Sequence, residues 1–283
     1  IDAELAGKYK NWLEKNPINH GFWAHWPFYF PEMPLDIQSV KSAHDSADVA
    51  VVVIGRSSGE DRDCKLKKGS WFIADDEDAM LRNVTAEFDR VILLLNIGGI
   101  MDMSILEKYK EKLGAVMIVW QGGMESGNAA ADLLCGNVNP SGRLTDTIAK
   151  RYEDYPSSAN FGGDDFNEYK EDIYVGYRDF ETFAKEKVLY PFGYGIGYTD
   201  FEIEMLKAEK TDGGFEFNVK VKNIGNADGR EVVQLYLRKP CGKLGNPEMC
   251  LVSFGKTETL KGGETEELKL SADMYQLSSY DEQ

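Results

Sequence analysis

The stretch with the densest chemistry is Arg56-Ser57-Ser58-Gly59-Glu60-Asp61-Arg62-Asp63. Three acids and two arginines crowd a segment opened by two serines and a glycine. Small residues let a substrate approach the backbone, and Glu60 or Asp61 can then offer a catalytic carboxyl. The same composition also describes an ordinary solvated turn, because charge clusters usually sit in water. A phosphate cradle is excluded: the glycine-lysine pattern of a P-loop is missing and the acids would repel phosphate. Two further small-residue loops, Asn96–Gly99 and Gln121–Gly123, are candidate neighbours of this segment. Read plainly, they are helix starts.

The elements flanking these loops say where they meet. Asp48–Gly55 is a β-branched run that suits a strand buried on both faces, Arg90–Asn96 reads as another buried strand, and Gly114–Trp120 as a third strand. Between and after them lie helical patterns over Asp75–Phe88, with Asp75 or Asp76 as N-cap, over Met103–Leu113 and over Gly122–Cys135. Strand alternating with helix is the rhythm of an α/β domain whose mostly parallel sheet carries helices on both faces. In such a sheet ligands bind beyond the carboxyl ends of the strands, and all three loops fall there.

Upstream, Ala3–Leu13 reads as a short helix, and His44 falls on a helix just before the first strand. Asn16–Leu35 holds Pro17, Pro27, Pro31 and Pro34 among Phe22, Trp23, Trp26, Phe28, Tyr29 and Phe30. Four prolines forbid regular structure, and so many aromatics must lie against something. The segment either packs over the chain's own core or forms a rim for a flat ligand. Downstream, Asn137–Lys187 loses the α/β rhythm and is expected to be a long connection wrapping the first domain. After Phe192 the class changes. Phe201–Glu209, Phe215–Asn223, Glu231–Arg238, Leu251–Leu260 and Glu264–Leu270 alternate apolar and polar residues between Gly- and Asn-rich turns. That predicts an antiparallel β-sandwich, incomplete at about five strands where such folds have about seven. The expected domains are 1–192 and 193–283.

Composition narrows the function. The 283 residues carry a net charge of −16, which opposes binding to nucleic acid or to anionic lipid. No apolar run reaches the ~20 residues of a membrane span. Cys64, Cys135, Cys241 and Cys250 form no CxxC, and His20, His25 and His44 are not spaced as zinc ligands. Cys241 and Cys250 are the one conceivable disulfide pair, but a reducing, cytoplasmic setting is the default. GYGIGY at Gly193–Tyr198 lies between a proline and a strand, which is the wrong context for a dinucleotide loop, and no GxSxG elbow exists.

Five motifs then occur in order: RSSGEDRD (Arg56–Asp63), VWQGG (Val119–Gly123), NPSGRL (Asn139–Leu144), EDIYVGYRDF (Glu171–Phe180) and YPFGYGIGYTDF (Tyr190–Phe201). Together they resemble the accessory domains of glycoside hydrolase family three, the β-glucosidase-like enzymes, from about Asp48 to the C-terminus. Members combine a (β/α)8 barrel, an α/β sandwich domain and a fibronectin type III-like domain. The chain resembles the last two and has no room for the barrel, which needs about 250 residues. The resemblance departs at Ile196-Gly197, where members usually have Leu-Ser, and at Thr145, where many have proline. The family's α/β domain also opens with more strands than are found before Asp48, so a truncated chain is expected.

The resemblance implies a retaining glycosidase acting on β-glucosides or oligosaccharides, with no metal or organic cofactor. Its nucleophile is an aspartate of the barrel, on another chain or a missing part, and its acid/base is the glutamate matching Glu60. Retaining enzymes place the two carboxyl groups about 5–5.5 Å apart, and a neighbouring carboxylate raises the acid's pKa. Asp61 is the rival acid, and Arg62 is expected to point away from Glu60. Asp61, Arg62 and Trp71 are the candidate substrate contacts, with Trp71 at the leaving-group subsite and Trp23, Trp26 and Phe28 as further sugar platforms. As a tryptophan, Trp71 is equally a packing residue. The competing function is a carbohydrate-binding module without turnover; a nucleotide-binding α/β protein is a weaker third.

Overall fold

The computed structural model describes residues 2–17, 27–59, 63–162, 165–240 and 243–281. The chain forms two compact units, Ile1–Ala130 and Ala131–Gln283.

The first unit opens with α1 (Ala3–Lys15), capped by Asp2, and α2 (Ile37–His44), capped by Asp36; each cap carboxylate accepts a first-turn backbone N–H. The sheet follows: β1 (Ala50–Arg56), α3 (Asp75–Glu87), β2 (Val91–Ile97), α4 (Ser104–Tyr109) and β3 (Leu113–Ile118). Strands β1, β2 and β3 pair in that order, and both pairings are parallel. A parallel pairing puts the carboxyl ends of all three strands on one edge, as the strand–helix rhythm predicts.

Strand β2 is the centre of the core. Val91, Leu93, Leu95 and Ile97 are fully buried, and Leu94 on the opposite face is buried too. Strand β1 departs from the expectation of burial on both faces: Val52 and Ile54 are buried, whereas Val51 and Val53 are 46% and 50% exposed. It is an end strand of the described sheet, so one of its faces has less to pack against. Met80, Leu81 and Val84 of α3 join the core, as do Ile105 and Leu106 of α4. Phe88 closes it from the end of α3, with His44 edge-on to its ring at 5.0 Å. Helix α4 is shorter than predicted, because Leu113 is taken into β3. Helix α5 (Ser126–Leu134) starts four residues later than predicted.

In the second unit the connection is more ordered than its sequence promised. β4 (Ile148–Ala149) pairs antiparallel with β5 (Val188–Tyr190), and α6 (Tyr177–Phe183) packs Phe180 against Ala149 and Ala184. The sandwich matches the predicted strands within a few residues: β6 (Phe201–Thr211), β7 (Gly214–Asn223), β8 (Val232–Leu237), β9 (Cys250–Lys256) and β10 (Thr265–Asp273), followed by the single turn α7 (Met274–Leu277). One sheet runs β10-β7-β6 and the other β8-β9, all antiparallel. Val219, Val221, Val233, Leu260 and Leu270 fill the space between them. Asn223 is fully buried, and its amide group bonds Thr199, Gly225, Ala227 and Leu260, which satisfies it as burial requires. Cys250 is a free thiol, and Cys241, its expected partner, lies outside the described residues.

Candidate active site

The three loops predicted to share the sheet's carboxyl edge do converge. Gly98, one residue past β2, donates its N–H to the carbonyl of Arg56 at the end of β1 (3.2 Å). A β-carbon on Gly98 would collide with Ser58 Oγ and come within 2.7 Å of Gln121 Nε2. Ser58, Gly98 and Gln121 therefore touch at one point, and only glycine fits between the other two. Beside them Trp120 has φ 51°. A bulky residue in the left-handed region is a strained turn, of the kind that accumulates at ligand sites. Nothing in the residue types marked Trp120 in advance; its dihedral had to be seen.

Glu60, Asp61 and Arg62 lie outside the described residues, as do Trp23 and Trp26. What is described are the two stems of their loop. On the leading stem, Ser57 donates its N–H to the carbonyl of Phe28 (2.7 Å) and its hydroxyl to that of Pro27. The proline-rich segment thus packs on this chain's own loop, with Lys67 Nζ 5.7 Å from the Phe28 ring. On the trailing stem, Lys65 N–H donates to Ser70 Oγ (2.9 Å) and Trp71 N–H to the carbonyl of Lys65 (3.1 Å). Trp71 is 8% exposed, and its carbonyl accepts from Asp102 N–H (2.9 Å). Gly69 has φ 76° and lies so close beneath the Tyr29 ring that a β-carbon there would strike it.

Between the stems sits a charge pair that sequence reasoning missed. Arg56 and Glu77 are 7% and 4% exposed and meet fork to fork, Nη1 to Oε1 at 2.5 Å and Nη2 to Oε2 at 2.7 Å. Glu77 Oε2 also accepts the N–H of Ala74 (2.8 Å). Ala74, not Asp75 or Asp76, is the N-cap of α3, and Glu77 reaches back to serve its backbone. Asp76 instead accepts the N–H of Glu32 (2.8 Å). Burial pushes the Tyr29 hydroxyl up, and the nearby charges of Asp76 and Glu77 push it further, so it stays a neutral phenol. The spacing of Glu77 from Ala74 in a helix start, three residues, was the available signal; Arg56 gave none, being one more charge in a charged loop.

Among the described residues no cluster of His, Cys, Asp and Glu is arranged to hold a metal ion. No helix among them is long and apolar enough to cross a membrane. A 730 Å³ hollow along one side of α1 is lined by Leu5, Tyr9 and Leu13 together with Asp2, Lys10 and Glu14.

The first unit is a parallel α/β sheet whose carboxyl-end loops meet at Gly98, and a β-sandwich follows it in the chain. The chain belongs to glycoside hydrolase family 3: residues 8–198 match the model described as the glycosyl hydrolase family 3 C-terminal domain, and 231–283 match the fibronectin type III-like domain. Among known proteins it is similar to a β-glucosidase of Ruminococcus albus, 44% identical over all of this chain and 30% of that protein. It is also similar to β-glucosidase A of Butyrivibrio fibrisolvens, 40% identical over 89% of this chain and 35% of that protein. Its fold superposes on the crystal structure of a β-glucosidase from Paenibacillus barengoltzii with a TM-score of 0.96, at 44% identity, covering 99% of this chain and 31% of that one. For β-glucosidase 3B of Thermotoga neapolitana, solved with glycerol, the TM-score is 0.86 at 36% identity, covering 99% and 40%. The chain thus spans about a third of the length of these relatives.

Proposed function

We propose that the chain forms the acid/base wall of the sugar-cleaving site of a retaining β-glucosidase-type enzyme, and that the nucleophile lies on a barrel outside these 283 residues. One observation carries this reading: the point where Ser58, Gly98 and Gln121 meet is the ligand edge of the sheet, and the SGED segment leaves from it at Ser58. That the relatives named β-glucosidase are about three times longer supports a second wall elsewhere.

In this reading an aspartate of the barrel attacks the anomeric carbon and forms a glycosyl-enzyme. Glu60 gives its proton to the departing oxygen, then takes one from the water that releases the sugar. Asp61 and Arg62 contact the substrate, and Trp71 borders the leaving-group side. The substrates are β-glucosides or short β-linked oligosaccharides.

The test is Glu60→Gln in the protein assembled with its barrel-bearing polypeptide. The rate on aryl glucosides with poor leaving groups is expected to fall about 10²–10⁴-fold, with far less loss for good ones and partial rescue by azide. An equal fall for all leaving groups without rescue overturns the assignment. Titration of the 283-residue chain alone with cello-oligosaccharides separates the other reading: tight binding without the barrel marks a sugar-binding module.

A further inference from the structure

Resting on that reading, we infer that Arg56 and Glu77 are positioning residues for Glu60, acting by holding together the two stems of the loop that carries it. A catalytic carboxyl must be held to within roughly half an ångström by residues that are themselves fixed, and loops are poor at this without support. Here the support is one guanidinium. Arg56 is the last residue of β1, where the loop departs. Its Nε–H donates to the carbonyl of Ser70 (3.1 Å), Nη1 to that of Gly55 (2.7 Å) and to Glu77, and Nη2 to that of Phe72 (3.4 Å) and to Glu77. An arginine has five N–H donors, and each finds an acceptor. Ser70 and Phe72 lie where the loop returns, and Glu77 lies on the first turn of the helix that follows. The residue at the exit therefore grips the residues at the re-entry.

The packing around the pair closes the same ring. The Arg56 Cζ stands 5.5 Å from the Tyr29 ring centroid, and Tyr29 covers Gly69 on the trailing stem. Stability alone does not call for this arrangement, since a buried ion pair is commonly no better than apolar side chains of similar size. What an apolar pair would lack is the fork geometry, which fixes both stems in one register. Glu77 also leaves Arg56 no free donor for a carboxyl within the loop.

The experiment uses the same assembled enzyme. Arg56→Ala would strand a buried carboxylate and unfold the unit, so the variants are Arg56→Lys and the double change Arg56→Met/Glu77→Leu, each alone and combined with Glu60→Gln. Thermal unfolding checks that each folds. The expected result is a fall in kcat of about 10²-fold on poor leaving groups, the cost of an ångström's misplacement, with KM and the rate on good leaving groups little changed. In the Glu60→Gln background the same changes are expected to cost nothing further on poor leaving groups, because they act through the carboxyl already removed. Equal losses for good and poor leaving groups, or full losses in the Glu60→Gln background, reduce the pair to a structural role and overturn the inference. If Glu60→Gln itself does not distinguish leaving groups, the function proposed above fails, and the positioning role fails with it.

Discussion

Each unit of the chain holds an arginine–glutamate pair, buried in the first and half-buried in the second, and the two pairs are differently employed. In the first unit Arg56 and Glu77 meet at the carboxyl edge of the sheet and join the two stems of the segment between β1 and α3. In the second, Arg143 of the NPSGRL motif places Nη2 on both carboxylate oxygens of Glu231, at 2.6 and 2.7 Å, and Nη1 on the carbonyl of Gly195 in YGIG. Around it Asn139 donates to the carbonyl of Asp228 (2.9 Å) and accepts from Tyr198 N–H (2.8 Å). These bonds tie the connection to the segments that lead into β6 and β8. Motifs of equal prominence thus divide into those at the carboxyl edge of the parallel sheet and those that join the connection to the sandwich. What separates them is whether the residues held in place belong to the carboxyl end of a parallel sheet.

The sharpest way to break this division is to disable the second clamp. Arg143→Met leaves Glu231 largely buried with its charge unmatched, and the expected loss is about 3 kcal/mol, at the low end for a broken buried pair because both side chains keep some exposure. Urea unfolding followed by the tyrosine-rich second unit measures it. The assembled enzyme, at a temperature where the variant is folded, is expected to keep the wild-type dependence on leaving group. A leaving-group dependence like that of the Arg56 variants would erase the distinction between the clamps.

A smaller effect is expected from Gly98→Ala. The added methyl collides with Ser58 and presses on Gln121, so the crowded edge must spread, at about 1–3 kcal/mol for overpacking. Gly123→Ala is its control. That glycine has φ 75° with open space around it, so the change costs about 1 kcal/mol of backbone strain and moves no neighbour. Calorimetry gives the two stabilities. Activity on poor leaving groups is expected to fall for Gly98→Ala by more than its lost stability explains, and to persist for Gly123→Ala. Equal activity in the two variants would mean that the meeting point of the loops is packing alone.

These contrasts also mark what was legible in the sequence. Periodicity resolved the parallel sheet and its carboxyl edge, since β-branched runs alternating with amphipathic helices leave few other arrangements. It also resolved the five strands of the sandwich among the described residues. Turn residues located the three loops, but their meeting at Gly98 depends on close approaches that no spacing encodes. Arg56 and Glu77 escaped because their partnership spans 21 positions and joins a residue read as loop charge to one inside the helical pattern Asp75–Phe88. The connection was read as irregular because β4 and β5 are two and three residues long, too short for any alternation to register. The cap of α3 was assigned to aspartate on residue preference, whereas the reach of Glu77 decides it.

Unlike the carboxylates of both clamps, the acid of Glu32 is governed by burial and not by an arginine. Glu32, which follows the aromatic segment, has its carboxyl pushed up chiefly by burial, with Asp76 and Glu77 adding repulsion and hydrogen bonds from Tyr9 and the Met33 backbone opposing. Between the unfolded and folded pKa its folded form binds more protons than the unfolded chain. Stability linked to this group is present below the ordinary carboxylate pKa, near 4.3, and is lost as pH rises from there through the folded value. Glu32→Gln keeps the side-chain carbonyl that Met33 N–H needs and removes the titration. The expected result is a flatter fall in melting temperature from about pH 4.5 upward than in the wild-type chain, the smallest change of the three. Parallel curves for the two proteins would show that burial of this acid has no energetic consequence, and that the unit depends on paired charge alone.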